Sequence, residues 1–72
     1  MSLKEVIEAY ADDHGLIFVL KVGKMHNGRQ IYGFGRVTVC VDSLNQVVFA
    51  LEKDGWSAVS LELLLEMNHG HR

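Results

Sequence analysis

Residues 16–41 read LIFVLKVGKMHNGRQIYGFGRVTVCV, and this stretch decides the fold. At its centre stands Asn27-Gly28, a dipeptide typical of the two-residue turn of a β-hairpin. β-Branched and aromatic residues are frequent on both sides of the turn, which indicates two antiparallel strands. The first predicted strand covers residues 16–25. The second begins at residue 29 or 30 and ends at residue 41.

A helix is predicted before this hairpin, over residues 2–14. Ser2 and Glu5 have the spacing of a capping box, in which each side chain accepts a hydrogen bond from the other residue's backbone N–H. The apolar residues that follow recur at helical intervals and form one stripe. Gly15 then favours a left-handed end to the helix.

A third strand and a second helix are predicted after the hairpin. Residues 46–53 form the strand, and residues 57–68 form the helix, with Ser57 as its N-cap. Residues 68–72 are expected to be a flexible tail. The predicted fold is therefore a single α+β domain with two layers, an α-β-β-β-α order and a three-stranded antiparallel meander.

The two-residue turn also predicts which side chains share a face of the sheet. If His26 pairs with Arg29 and the register continues, Leu20 faces Gly35 and Val22 faces Gly33. Glycines opposite large apolar residues allow a close approach to the backbone. This face is therefore predicted to be the core, covered by the helices.

The opposite face is unusually apolar for a surface that meets water. On it we expect an interaction surface, because its residue types are enriched in protein interfaces and its size exceeds what monomers usually expose. The alternative is that helix two crosses to this face, in which case the surface would not exist. The candidate partner-binding residues are Val19, Lys21, Met25, Tyr32, Phe34 and Arg36.

Composition excludes several classes of protein. The chain has 72 residues, 49% of them hydrophobic, and a net charge of −2, so it is neither disordered nor rich in the basic residues that bind phosphates. The lone cysteine, Cys40, predicts a reducing, cytoplasmic compartment. No metal site, cofactor or membrane partner is expected. A core this small usually needs further support, which favours a homodimer.

These observations predict a small non-catalytic protein-interaction module. It would act as a regulator, adaptor or inhibitor, by occlusion or recruitment of a partner protein of unknown identity. A phage or mobile-element origin is a hypothesis that rests only on the small size and the lack of motifs. No catalytic residue is assigned.

The alternative is a nucleic-acid-binding module or a small ribonuclease. Residues 32–39, YGFGRVTV, resemble the RNP1 motif of RNA-binding domains. The α-β-β-β-α order resembles the double-stranded-RNA-binding-like fold, which includes HicA-type toxin ribonucleases. Their Gly-x-His-His stretch has a partial counterpart in residues 23–26, GKMH. The resemblance implies a role for His26, with Lys24, Arg29 and Arg36 as basic residues.

Overall fold

The computed structural model describes residues 1–70 and confirms an α+β fold with an antiparallel meander. The meander has five strands, where the sequence analysis expected three, in the order β1-β2-β3-β4-β5. The elements, in chain order, are α1 (Leu3–Asp13), β1 (Phe18–His26), β2 (Arg29–Phe34), β3 (Val37–Asp42), β4 (Val47–Glu52), β5 (Gly55–Val59) and α2 (Leu61–Asn68).

The first helix begins and ends as predicted. Ser2 Oγ accepts from Glu5 N at 3.2 Å and Glu5 Oε1 accepts from Ser2 N at 3.0 Å, which is the expected capping box. Gly15 has a φ of +69°, and the chain then reverses so that Leu16 N donates to Ala11 O at 2.8 Å. This hydrogen bond directs the chain from α1 into the sheet.

A turn at Gly35-Arg36 divides the second predicted strand into β2 and β3. Phe34 pairs directly with Val37 across this turn, and Gly35 has a φ of +60°. Paired residues of an antiparallel ladder lie on the same face. The face that holds even-numbered residues in β2 therefore holds odd-numbered ones in β3, so the single alternation predicted for residues 29–41 is wrong.

The C-terminal helix is shorter than predicted because a fifth strand takes its first residues. Trp56 pairs with Leu51 in the sheet, and Ser57 lies in β5. The N-cap is instead Ser60, whose Oγ accepts from Leu63 N at 3.1 Å. β5 follows the turn before Gly55, which has a φ of +117°.

The register between β1 and β2 changes part-way along the strand. His26 pairs with Arg29 as predicted, but Leu20 pairs with Tyr32 and not with Gly35. Residues 21–24 lie in this irregularity, and Gly23 within it has a φ of +79°. Between Met25 and Leu20 the pairing register of β1 against β2 shifts by three residues, an odd number. An odd shift moves each side chain to the other face, so the predicted assignment of faces is wrong here.

Both helices lie on the same face of the sheet and form one core with it. Tyr32 and Phe34 belong to this core, with 8% and 0% of their surface exposed. Other core members are Ile7, Ala11, Val39, Val41, Val48, Ala50 and Leu64.

Asn68, where the predicted helix ends and the predicted tail begins, is the last residue of α2 and is buried. Its Nδ2 donates to Phe34 O at 3.1 Å, and its Oδ1 accepts from Arg36 N at 2.7 Å. These hydrogen bonds join the end of α2 to the β2–β3 turn. His71 and Arg72, the last two residues of the predicted tail, lie outside the described residues.

Candidate functional site

Two of the six predicted partner-binding residues are buried under the helices. Tyr32 stacks on Phe18 with ring centroids 4.7 Å apart, and Phe34 lies 6.4 Å from the ring of Tyr10. The prediction that these two aromatic residues form exposed anchors is wrong. Its cause is the irregularity in β1, which sequence alternation does not report.

The other four predicted residues are exposed, but they do not form one surface. Val19, Lys21 and Met25 lie along β1. Arg36 lies apart in the β2–β3 turn, where its Nη1 donates to Asn68 O at 3.3 Å. The predicted surface is therefore reduced to its β1 part.

Further exposed apolar residues stand beside these three in the chain, Val22 within β1 and Ile17 directly before it. The exposed fraction is 85% for Val22, 73% for Ile17 and 57% for Met25. We call this group the β1 surface, and its members are Ile17, Val19, Lys21, Val22, Lys24 and Met25. Ile17 belongs to the face predicted to be exposed, whereas Val22 was predicted on the core face, although a glycine close to two lysines in a strand is a recognisable sign of a bulged edge.

The position of β1 in the sheet explains why these side chains remain uncovered. β1 is the first strand in the sheet order, so β2 is its only strand neighbour among residues 1–70. Residues 21–24 have no paired residue even in β2. Lys21 and Val19 lie over Gly33, where an added Cβ would be 3.4 Å from Lys21 Cε and 3.6 Å from Val19 Cγ1.

The helix-free side of the sheet is partly closed by its own side chains. The rings of His26 and Trp56 stack with centroids 4.9 Å apart, although they belong to the first and last strands. In a flat sheet, strands four positions apart would be separated by about 19 Å. The sheet therefore curls toward its helix-free side, and the irregularity in β1 provides the bend.

Charged and aromatic side chains fill this curled side. Arg29 Nε lies 3.0 Å from Asp42 Oδ2, and the Arg29 guanidinium lies 5.6 Å from the centre of the Phe49 ring. Asp42 also accepts hydrogen bonds from the backbone and side-chain nitrogens of Asn45. These bonds from Asn45, and then Arg29, hold the pKa of Asp42 below its usual range.

This arrangement leaves few of the side chains proposed for a ribonuclease available to contact a substrate. Arg29 is paired with Asp42, His26 is stacked on Trp56, and Arg36 lies beyond the other end of β2. Cys40 is fully buried, and burial raises the pKa of its thiol. In residues 1–70 no three His, Cys, Asp or Glu side chains are grouped so that they could ligate a metal ion.

Comparison with known proteins gives a family. Residues 4–69 match the TFIP11 C-terminal domain. The chain belongs to this family. Its relatives include tuftelin-interacting protein 11 of Sus scrofa, Pan troglodytes and Bos taurus, each 37% identical over 67 residues, which is 93% of this chain.

The chain spans only 8% of the length of these relatives. The TFIP11 C-terminal domain is therefore a small part of a much longer polypeptide in them. These matches lend no support to a phage origin or to kinship with toxin ribonucleases. Neither helix described in residues 1–70 is long and apolar enough to cross a membrane.

Proposed function

We propose that this TFIP11 C-terminal domain is a non-catalytic module that binds a partner protein through the β1 surface. The observation that carries the proposal is the exposure of Val22, at 85%, on the strand at the sheet edge, and of Ile17, at 73%, directly before that strand. Large exposed apolar patches are uncommon in monomers and mark interaction sites. A conformation that leaves such residues in water is best explained by a partner that covers them.

Family membership supports the same role. The relatives carry this domain within a long protein, tuftelin-interacting protein 11, whose name describes an interaction with tuftelin. We extend to this chain only the role of protein binding. Within that role we propose an adaptor or regulator that acts by recruitment, and its location in a reducing, cytoplasmic compartment stays a prediction.

The state of the reactive side chains supports binding rather than catalysis. A buried thiol with a raised pKa is a poor nucleophile, which applies to Cys40. The Asp42 carboxylate is occupied by Arg29 and Asn45. A general base needs access to a substrate proton, and Asp42 is buried.

Site-specific photocrosslinking tests the proposal. We would introduce p-benzoylphenylalanine in place of Val22 in one variant and in place of Leu44 in a control. Leu44 is a matched control because it is 90% exposed but lies in the β3–β4 turn, away from the β1 surface. Both variants would be irradiated in an extract of cells that express the protein.

We expect a discrete crosslinked protein from position 22 that is absent from position 44. Addition of unlabelled wild-type domain should reduce this product by competition. No crosslink at position 22, or the same products at both positions, would show that the β1 surface is not the binding site. A product of twice the monomer mass would identify a homodimer. A nuclease-sensitive product would favour nucleic acid. Either result would overturn the proposal of a separate protein partner.

A further inference from the structure

We propose that the partner presents an extended segment with acidic and apolar residues, and that this segment adds to the free edge of β1 as a further strand. This inference rests on the proposed function, because it specifies what binds the β1 surface. Three properties of β1 carry it: its unpaired edge, its two lysines and the absence of an exposed aromatic ring.

The edge supplies main-chain hydrogen bonds. In an antiparallel strand, alternate residues direct their N–H and C=O groups to opposite sides, so an edge strand has one row without a strand partner. Residues 18–20 pair with β2 on one side, and no strand within residues 1–70 pairs on the other. A peptide in extended conformation satisfies such groups, which is the general mode of β-strand addition.

The lysines define the charge of the segment. Lys21 and Lys24 are both exposed and stand on either side of Val22. Neither lysine forms an ion pair within residues 1–70. The ion pair found there joins Arg29 and Asp42. The protein is negative overall, at −2, so this local positive charge is opposite in sign to the whole. Glu or Asp in the segment would complement it.

A second copy of this chain fits the same edge poorly. Antiparallel pairing of two β1 strands would bring Lys21 and Lys24 of one copy near the same lysines of the other. Like charges across a strand pair are destabilising. The charge of β1 therefore favours a different, acidic chain over a homodimer.

Nucleic acid also fits poorly, although phosphates would attract the lysines. Binding of single strands relies on aromatic rings that stack on bases. Of the rings in β1, that of Phe18 is stacked on Tyr32 and that of His26 is stacked on Trp56. The exposed neighbours of the lysines are aliphatic or Met side chains, which complement apolar residues of a peptide.

A peptide library provides the test. A displayed library of random 12-residue peptides would be selected on the immobilised wild-type domain and on the K21E/K24E double variant. We expect the wild type to enrich peptides in which Glu or Asp alternates with Val, Ile or Leu. We expect the charge-reversed variant to lose these and to enrich peptides that carry Lys or Arg instead.

The most enriched acidic peptide would then be synthesised with a fluorescent label for anisotropy measurements. We expect K21E/K24E to weaken its binding at least tenfold. The control K4E/K53E, which changes the net charge equally at other exposed positions, should change it less than twofold. Methylation of alternate backbone nitrogens in the peptide should abolish binding if main-chain hydrogen bonds hold it. K21Q/K24Q serves as a second variant if circular dichroism shows that K21E/K24E is unfolded.

Three results would overturn the inference. These are failure to enrich acidic peptides, binding that ignores K21E/K24E, and tighter binding of a 20-nucleotide RNA than of any selected peptide. If the Val22 crosslink nevertheless identifies a partner protein, the proposed function stands and only this inference fails. If position 22 gives no specific crosslink, both fail.

Discussion

The seam between α2 and the β2–β3 turn contrasts with the β1 surface. At the seam, Asn68 is buried and connects Phe34, Arg36 and Leu64 through hydrogen bonds of 2.7–3.1 Å. Along β1, residues 21–24 lack a strand partner and Val22 is 85% exposed. The difference indicates a division of labour: the seam stabilises the fold, whereas the β1 surface contributes little to stability and is available for binding.

The largest predicted effect is at Gly35. Alanine there would adopt an unfavourable positive φ, and its Cβ would overlap Asn68 Oδ1 and lie 2.9 Å from Asn68 Cγ. Left-handed backbone costs a non-glycine residue about 1–2 kcal/mol. Displacement of the Asn68 amide would add the cost of buried groups without partners, about 1–3 kcal/mol each. We therefore expect Gly35→Ala to leave the domain largely unfolded in circular dichroism at 25 °C.

Gly28→Ala is the matched control for this experiment. Gly28 also has a positive φ, +76°, but nothing lies within 4 Å of an added Cβ. It therefore reports the backbone cost alone, about 1–2 kcal/mol in urea unfolding. Equal losses of stability in the two variants would show that the contact with Asn68 is not important.

The next effect is expected at Asn68. Asn68→Ala removes the acceptor for the part-buried Arg36 N and the donor to the buried Phe34 O, which leaves both backbone groups without their partner. We expect a loss of about 2–4 kcal/mol in the free energy of unfolding, measured with urea. Glu66→Ala, an exposed change on the same helix, should stay within about 0.5 kcal/mol of the wild type. A similarly small change at Asn68 would mean that the seam does not stabilise the fold.

The seam also shows where sequence reasoning reaches its limit. Local signals predicted the capping box of Ser2 and Glu5, the Gly15 end of α1 and the Asn27-Gly28 turn, because each depends on residues close in sequence. Two of the three partners of Asn68, Arg36 and Phe34, lie 32 and 34 residues away. No local pattern encodes that pairing, and for this reason the sequence predicts a helix end at Asn68 but not the burial of its side chain.

The proposed binding surface was only partly predictable for a related reason. Val19, Lys21 and Met25 were selected and are exposed, whereas Tyr32 and Phe34 are buried. The error came from carrying the register of the Asn27-Gly28 turn through the whole of β1. A register shift of three residues reverses the faces, and one glycine in a strand does not reveal how large the shift will be.

Unfolding at low pH should reveal a contribution to stability from Asp42, which belongs neither to the seam nor to the β1 surface. Hydrogen bonds from Asn45 and the Arg29 ion pair lower the pKa of Asp42 in the folded protein. The resulting stability is present above the unfolded pKa, about 3.9, and is lost as pH falls through the folded pKa. We expect the urea midpoint of Asp42→Asn to be below that of the wild type at pH 7 and the gap to narrow toward pH 2.

Glu8→Gln is the control for this pH series, because Glu8 is exposed on α1 and forms no ion pair within residues 1–70. Its urea midpoint should follow that of the wild type at every pH. A gap for Asp42→Asn that stays constant from pH 7 to pH 2 would show that the carboxylate charge is not the source of the stabilisation.

The smallest effect on stability, and the sharpest test of the comparison, is expected at Val22. Val22→Ser replaces an apolar side chain that is already 85% exposed, so little buried area is lost and the free energy of unfolding should change by less than about 0.5 kcal/mol. The same substitution should weaken binding of the partner or of the selected acidic peptide several-fold, since the complex would bury that side chain. Val39→Ser, in the core, should unfold the domain. A large loss of stability in Val22→Ser would show that Val22 contributes to the fold of the isolated domain. The exposure of Val22 would then no longer be evidence that the β1 surface binds a partner.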